Sequence, residues 1–224
     1  MVADNVVGAM RARPGSVHLF KGVGNRLENN GGNNSVRITA GSVDADVTWP
    51  NLGPSVYRAV DESGNGEQIS VSKHLTIEPG TVIEFASGMG MEVQDSAAGL
   101  SAIGTADAPI VFRGIDTNAW LGIGFAETSW TGNALENVQF ENAYGAPPNY
   151  HWTSVGISPP GKMSVALGQL VGPAAYLRVK NVSFAGPNAA SSDISVTGPA
   201  TLVVEGTNRG AGTGGVLSIL DVYM

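Results

Sequence analysis

No cysteine occurs among the 224 residues. That excludes a disulfide framework, a zinc–thiolate centre and a cysteine nucleophile. Charge is also sparse: Asp, Glu, Lys and Arg make up 14% of the chain, with a net charge of −7. This balance gives no broad basic footprint, so neither nucleic acid nor an anionic membrane is expected as a partner. No apolar run approaches the roughly 18 residues that would span a bilayer. The opening MVADNVVGAMRARPG places Asp4 inside its apolar part and its basic residues afterwards. That order is wrong for a signal peptide. G-x-S-x-G, the P-loop and H-E-x-x-H are missing too, which removes the best-marked routes to hydrolase, nucleotide and zinc chemistry.

What the chain does have is glycine, 31 residues, proline, 12, and an apolar fraction of 42%. The glycine and proline supply tight turns, and the apolar fraction is too high for disorder at so low a charge. The length suits one all-β domain with a substantial core.

The stretch Leu75–Phe112 organises the rest. Its apolar residues fall in short sets: Leu75 and Ile77, then Val82, Ile83 and Phe85, then Met91 and Val93, then Leu100 and Ile103, then Ile110 and Phe112. Turn residues cut each set off, at Pro79-Gly80, Ser87-Gly88, Ala98-Gly99 and Asp107-Ala108-Pro109. Alternation of period two, with no run long enough for a helix, predicts short strands. Upstream, Val36 and Ile38 alternate with Arg37 and Thr39 in the same way, after an Asn- and Gly-rich turn over 29–34. Downstream, Leu135-Glu-Asn-Val-Gln-Phe140 and Val179-Lys-Asn-Val-Ser-Phe184 share one pattern, 44 residues apart. A round of about 22 residues would make that offset two rounds of a repeating coil. Asn137 and Asn181 would then occupy equivalent bends, with Val138, Phe140, Val182 and Phe184 inward. Glu136, Gln139, Lys180 and Ser183 would face out.

LTIEPGTVIEF, GLSAIGTADAPIVF, the Trp120 strand and LENVQFENA together resemble the bacterial right-handed parallel β-helix repeat proteins of the pectate-lyase-like superfamily. The likeness is clearest over 75–143, fair over 16–60 and weak after 185. It implies a right-handed parallel β-helix, a solenoid, over residues 16–224 as a single domain. Residues 1–15 form an N-terminal segment, either a cap or simply where the chain starts. It also implies a secreted or cell-surface location. The superfamily includes lyases, hydrolases and adhesins, so the resemblance does not choose a chemistry.

Ala143–Gly172 departs from the pattern. Paired prolines at 147–148 and 159–160, with Tyr144, Tyr150, His151 and Trp152, read as a loop that leaves the coil near 143–172. Insertions of this kind collect on one face of a solenoid, often the binding face.

Several motifs are weighed against plainer readings. Ser70-Val-Ser-Lys73 matches S-x-x-K, which needs Ser and Lys one helical turn apart, yet it reads as a strand. Gly210-x-Gly212-x-x-Gly215 has no room for the helix and acidic residue that a dinucleotide site needs. Asp44 and Asp46, at i and i+2, would share one strand face and have no evident third oxygen ligand. His18, His74 and His151 are far apart in sequence, and no metal site is expected from them. A lyase would need acidic residues for a cation and a basic residue on one face. Arg113, Arg178 and Lys180, with Asp107, Asp116 and Glu136, supply such groups singly. Outward charges of this kind are ordinarily a solvated face.

Aromatic residues carry the binding reading. Trp120, Trp130, Tyr144, Tyr150, His151 and Trp152 are the candidate ligand-binding residues, since sugars pack on aromatic faces. The alternative is that they cover the flank and anchor the loop. No catalytic residue, metal or cofactor is assigned. The expected function is a non-catalytic extracellular or cell-surface module that binds a glycan or surface partner, within a longer adhesin-like protein. A polysaccharide lyase or glycoside hydrolase of the β-helix type, and a structural spacer, are the alternatives.

Overall fold

The computed structural model describes residues 2–3, 10–20, 27–28, 34–115, 120–126, 128–143, 165–168, 175–185, 194–197, 200–210 and 219–222. Among them the chain is almost entirely short strands. The turn residues leave room for three to six residues in most elements, too few for a stable helix. Pro14–Phe20 is a 3-10 helix.

Three parallel sheets take the strands in rotation. Ser35–Thr39, Gly41–Val43 and Val47–Trp49 enter the first, second and third sheet in turn. The next round is Val56–Val60, Ile69–Val71 and His74–Ile77. Then come Val82–Phe85, Met91–Gln94 and Gly99–Ile103, followed by Ile110–Gly114, Ile123–Ala126 and Ala134–Glu136. Two further rounds are Val138–Glu141, Val165–Gly168 and Ala175–Lys180, then Ser183–Ala185, Ile194–Thr197 and Ala200–Glu205. Each strand pairs with its counterpart one round away. Val82 meets Val111, for example, and Leu100 meets Leu75.

Alternation decides what lies inside. In Ser35–Thr39, Val36 and Ile38 are buried while Arg37 is exposed. Ile83, Phe112, Phe140 and Phe184 occupy one inward file of the first sheet. Their rings stack at centroid distances of 5.4 Å for Phe112–Phe140 and 5.1 Å for Phe140–Phe184. The 3-10 helix closes the early end: it packs on Gly41–Val43 and Val47–Trp49. The buried Trp49 indole donates to the Pro14 carbonyl at 3.0 Å.

Leu135 pairs directly with Val179, so the 44-residue offset is one round and not two. Ordinary rounds are shorter: Arg58 and Glu84 stand in register 26 residues apart, Glu84 and Arg113 29 apart. The extra length lies between Glu141 and Ala175. The stretch 143–172 is not a single loop, because Val165–Gly168 within it pairs with Ile123–Ala126 and Ile194–Thr197. Residues 144–164 and 169–174 are outside the described residues.

The two asparagines do occupy equivalent bends. Asn137 and Asn181 have φ of 48° and 53°, a left-handed conformation that Asn tolerates better than most residues. Asn181 Nδ2 donates to Asn137 Oδ1 at 3.2 Å, and Asn137 Nδ2 to the Gly104 carbonyl at 3.0 Å. The side chains thus hydrogen-bond from round to round where the backbone bends out of the sheet. Val138, Phe140, Val182 and Phe184 are buried, as their alternation predicts.

Candidate functional site

The six aromatic candidates part company. Trp120 is fully buried. Its ring stacks on Phe85 at 4.3 Å and 9°, and its Nε1 donates to the Glu141 carbonyl at 2.8 Å. It offers no face to a ligand. Tyr144, Tyr150, His151 and Trp152 lie outside the described residues. Trp130 is half-buried, on the outer side of the third sheet.

Trp130 rests on backbone. A Cβ at residue 99 would fall 1.9 Å from its six-membered ring, and one at residue 132 would fall 2.4 Å from it. Only glycine leaves that space, so Gly99 and Gly132 form the bed on which the indole lies. His74, paired with Gly99 on the adjacent strand, packs against the same ring at 4.4 Å. Gly99→Ala is therefore expected to expel the indole. Overpacking of this kind costs roughly 1–3 kcal/mol, read as a lower unfolding midpoint together with greater quenching of tryptophan fluorescence by acrylamide. An unchanged quenching profile would place the ring elsewhere.

The turn that carries Trp130 is fixed from beneath. Thr128 and Asn133 are fully buried. Thr128 Oγ1 donates to the Ala98 carbonyl at 2.5 Å, and Asn133 Nδ2 donates to Thr128 Oγ1 at 3.0 Å. Asn133 Oδ1 accepts from the Leu100 amide at 2.8 Å. The Thr128 and Asn133 carbonyls accept from the amides of Tyr176 and Arg178. Buried polar groups satisfied in this way hold one geometry, so the turn beneath Trp130 is fixed in place.

His74 is held from the other side. Its amide donates to Asp46 Oδ1 at 3.0 Å, and its Nδ1 lies 3.2 Å from the same oxygen. The amide hydrogen bond is the main cause that keeps the Asp46 carboxyl below its ordinary range, with the imidazole adding to it. Asp46 and Asp44 sit on an exposed turn between strands, so the shared strand face expected for them does not form.

The outer face of the third sheet carries two more files beside this platform. Thr48, Thr76, Ser101 and Ala134 stand in register. Beyond them run Ile103, Glu136, Lys180 and Glu205. Lys180 Nζ reaches Glu136 at 2.8 Å, and Arg178 lies 3.7 Å from both Glu136 and Glu205. Each cation of this set has a carboxylate, which leaves neither as a ready general base. Arg113 is likewise engaged, with Glu84 at 2.7 Å. Asp107 is on an exposed turn, and Asp116 is outside the described residues. Ser70 lies in the strand Ile69–Val71, where its hydroxyl accepts from Gln94. Among the described residues no three His, Cys, Asp or Glu side chains are grouped to hold a metal ion, and no helix is long and apolar enough to cross a membrane.

Sequence reasoning reached Trp130 but not its setting. In the sequence His74 reads as one of three scattered histidines, and Gly99 as a turn residue. The signal was cross-strand register: once Leu75 is set opposite Leu100, His74 must face Gly99. Comparison with family models, with curated proteins and with solved structures gave no match.

Proposed function

We propose that this chain is a non-catalytic right-handed parallel β-helix module that binds glycan on the outer face of its third sheet. Rotation of parallel strands through three sheets supports the solenoid reading. The right hand follows from the rule that parallel crossovers take that hand in about 98% of cases. The resemblance of 75–143 to the pectate-lyase-like superfamily points the same way, and to a place outside the cell or at its surface, within a longer adhesin-like chain.

One observation carries the binding reading: an indole held by glycine and histidine on a turn pinned by the buried Thr128 and Asn133, half-buried on the outer face and not in the core. A ring needed only as core filler has no use for such a mount. Enzymatic alternatives find less support, since Arg178 and Lys180 are tied to Glu136 and Glu205.

The test is Trp130→Ala in a glycan-array screen, beside an absorbance assay for unsaturated uronide release. Aromatic anchors commonly contribute 2 kcal/mol or more, so glycan affinity should fall by about tenfold or more, with Trp130→Phe intermediate. A spacer would show no binding for Trp130→Ala to remove. Uronide release by the wild type would favour the lyase instead.

A further inference from the structure

The ligand class follows from what surrounds Trp130. Thr48, Thr76 and Ser101 stand in register along the third sheet, one residue per round. Thr76 is exposed, and Thr48 and Ser101 are half-buried. None of the three hydroxyls has a hydrogen-bond partner among the described residues. Each hydroxyl both donates and accepts, as a sugar hydroxyl does, so the two can pair in either sense. Successive rounds repeat at about 4.8 Å, comparable with the length of one pyranose ring in an extended chain.

Charge narrows the class further. Arg178 and Lys180 are the cations on the outer face of the third sheet's strands among the described residues, against Glu136 and Glu205, and the Asp46 carboxylate at the edge has Lys73 near it. Two against two leaves no net positive field for a polyanion, on a chain whose net charge is already −7. Arg178 and Lys180 are moreover already engaged by Glu136 and Glu205. A carboxylated chain laid on this face would meet like charge without a free guanidinium to offset it.

We infer that the ligand is an uncharged glycan chain running along the stacking direction. One sugar face lies on Trp130 beside His74, and neighbouring residues hydrogen-bond to Ser101, Thr76 and Thr48. This rests on the glycan-binding reading above and adds to it the charge and direction of the ligand.

The experiment measures binding of the full chain to soluble neutral glucan, mannan and xylan, and to polygalacturonate and alginate. Each is measured at about 20 mM and about 300 mM salt, a range over which the Debye length shortens severalfold. A neutral polymer is expected to bind with less than about twofold change between the two salts, and the uronates about tenfold or more weaker at low salt. Oligomers of the preferred neutral sugar should gain affinity from one residue to about four, matching the rounds spanned. Thr76→Val with Ser101→Ala, both on the outer face, should weaken neutral binding about fivefold or more at an unchanged unfolding midpoint. Tighter binding of a uronate at low salt, or an unchanged double variant, would overturn the inference while leaving glycan recognition standing. Binding to none of the five polymers would overturn both.

Discussion

Trp120→Ala is expected to lower stability by about 4–5 kcal/mol, the upper part of the range for truncating a buried large aromatic. The side chain is fully buried. It lies parallel to Phe85 at 4.3 Å and to Phe140 at 6.2 Å, with Phe112 at 6.4 Å. Those rings come from three successive rounds, so the indole joins strands that share no local sequence. Alanine would open a cavity that stacked rings on fixed strands cannot collapse to fill. It would also remove the indole donor from the half-buried Glu141 carbonyl, a cost of roughly 1 kcal/mol. For a domain of this length the midpoint of thermal unfolding should fall by roughly 10–15 °C. Trp120→Phe keeps the stacking and loses the hydrogen bond, so about 1–2 kcal/mol is expected. A loss below about 1 kcal/mol for Trp120→Ala would mean that the aromatic file can close without this ring.

The contrast between Trp120 and Trp130 shows where sequence reasoning stops. Each is followed within two residues by glycine, and neither sits in a clear alternating run. Nothing local says that one is fully buried and the other half-buried. Burial of Trp120 is decided by Phe85, Phe112 and Phe140, and the seat of Trp130 by Gly99 and Gly132. These are contacts between rounds. The strands themselves were legible, because alternation over stretches such as Val36–Ile38 or Val138–Phe140 is a local property. The equivalence of Asn137 and Asn181 was legible for the same reason. The number of rounds between them was not: an insertion and an added round lengthen the offset alike. Asp44 and Asp46 mislead in a related way, since i, i+2 spacing implies a shared face only where the backbone is extended, and here it turns.

Glu84→Gln is expected to cost about 2–3 kcal/mol. Glu84 faces outward from the first sheet, yet its side chain is only 9% exposed. Arg58 Nε meets its Oε2 at 2.6 Å from one neighbouring strand, and Arg113 reaches its Oε1 at 2.7 Å from the other. Removing one partner of a buried pair costs roughly 3–5 kcal/mol. The guanidiniums are 30% and 39% exposed, and solvent screening of that half-open side lowers the expectation. A loss under about 1 kcal/mol at low salt would show the carboxylate to be solvated in practice. Replacing the whole triad, as Arg58→Met, Glu84→Leu and Arg113→Met together, should change stability by far less than Glu84→Gln, because no charge is left stranded. What the triple variant should lose is register. Apolar alternation repeats every two residues, so a slip of two keeps Ile83 and Phe85 inward and is invisible to the core. The same slip would set Glu84 against Val56 or Val60 in place of Arg58. The triad therefore rejects misalignments that hydrophobic patterning tolerates, and the triple variant should refold with a larger misfolded fraction than the wild type.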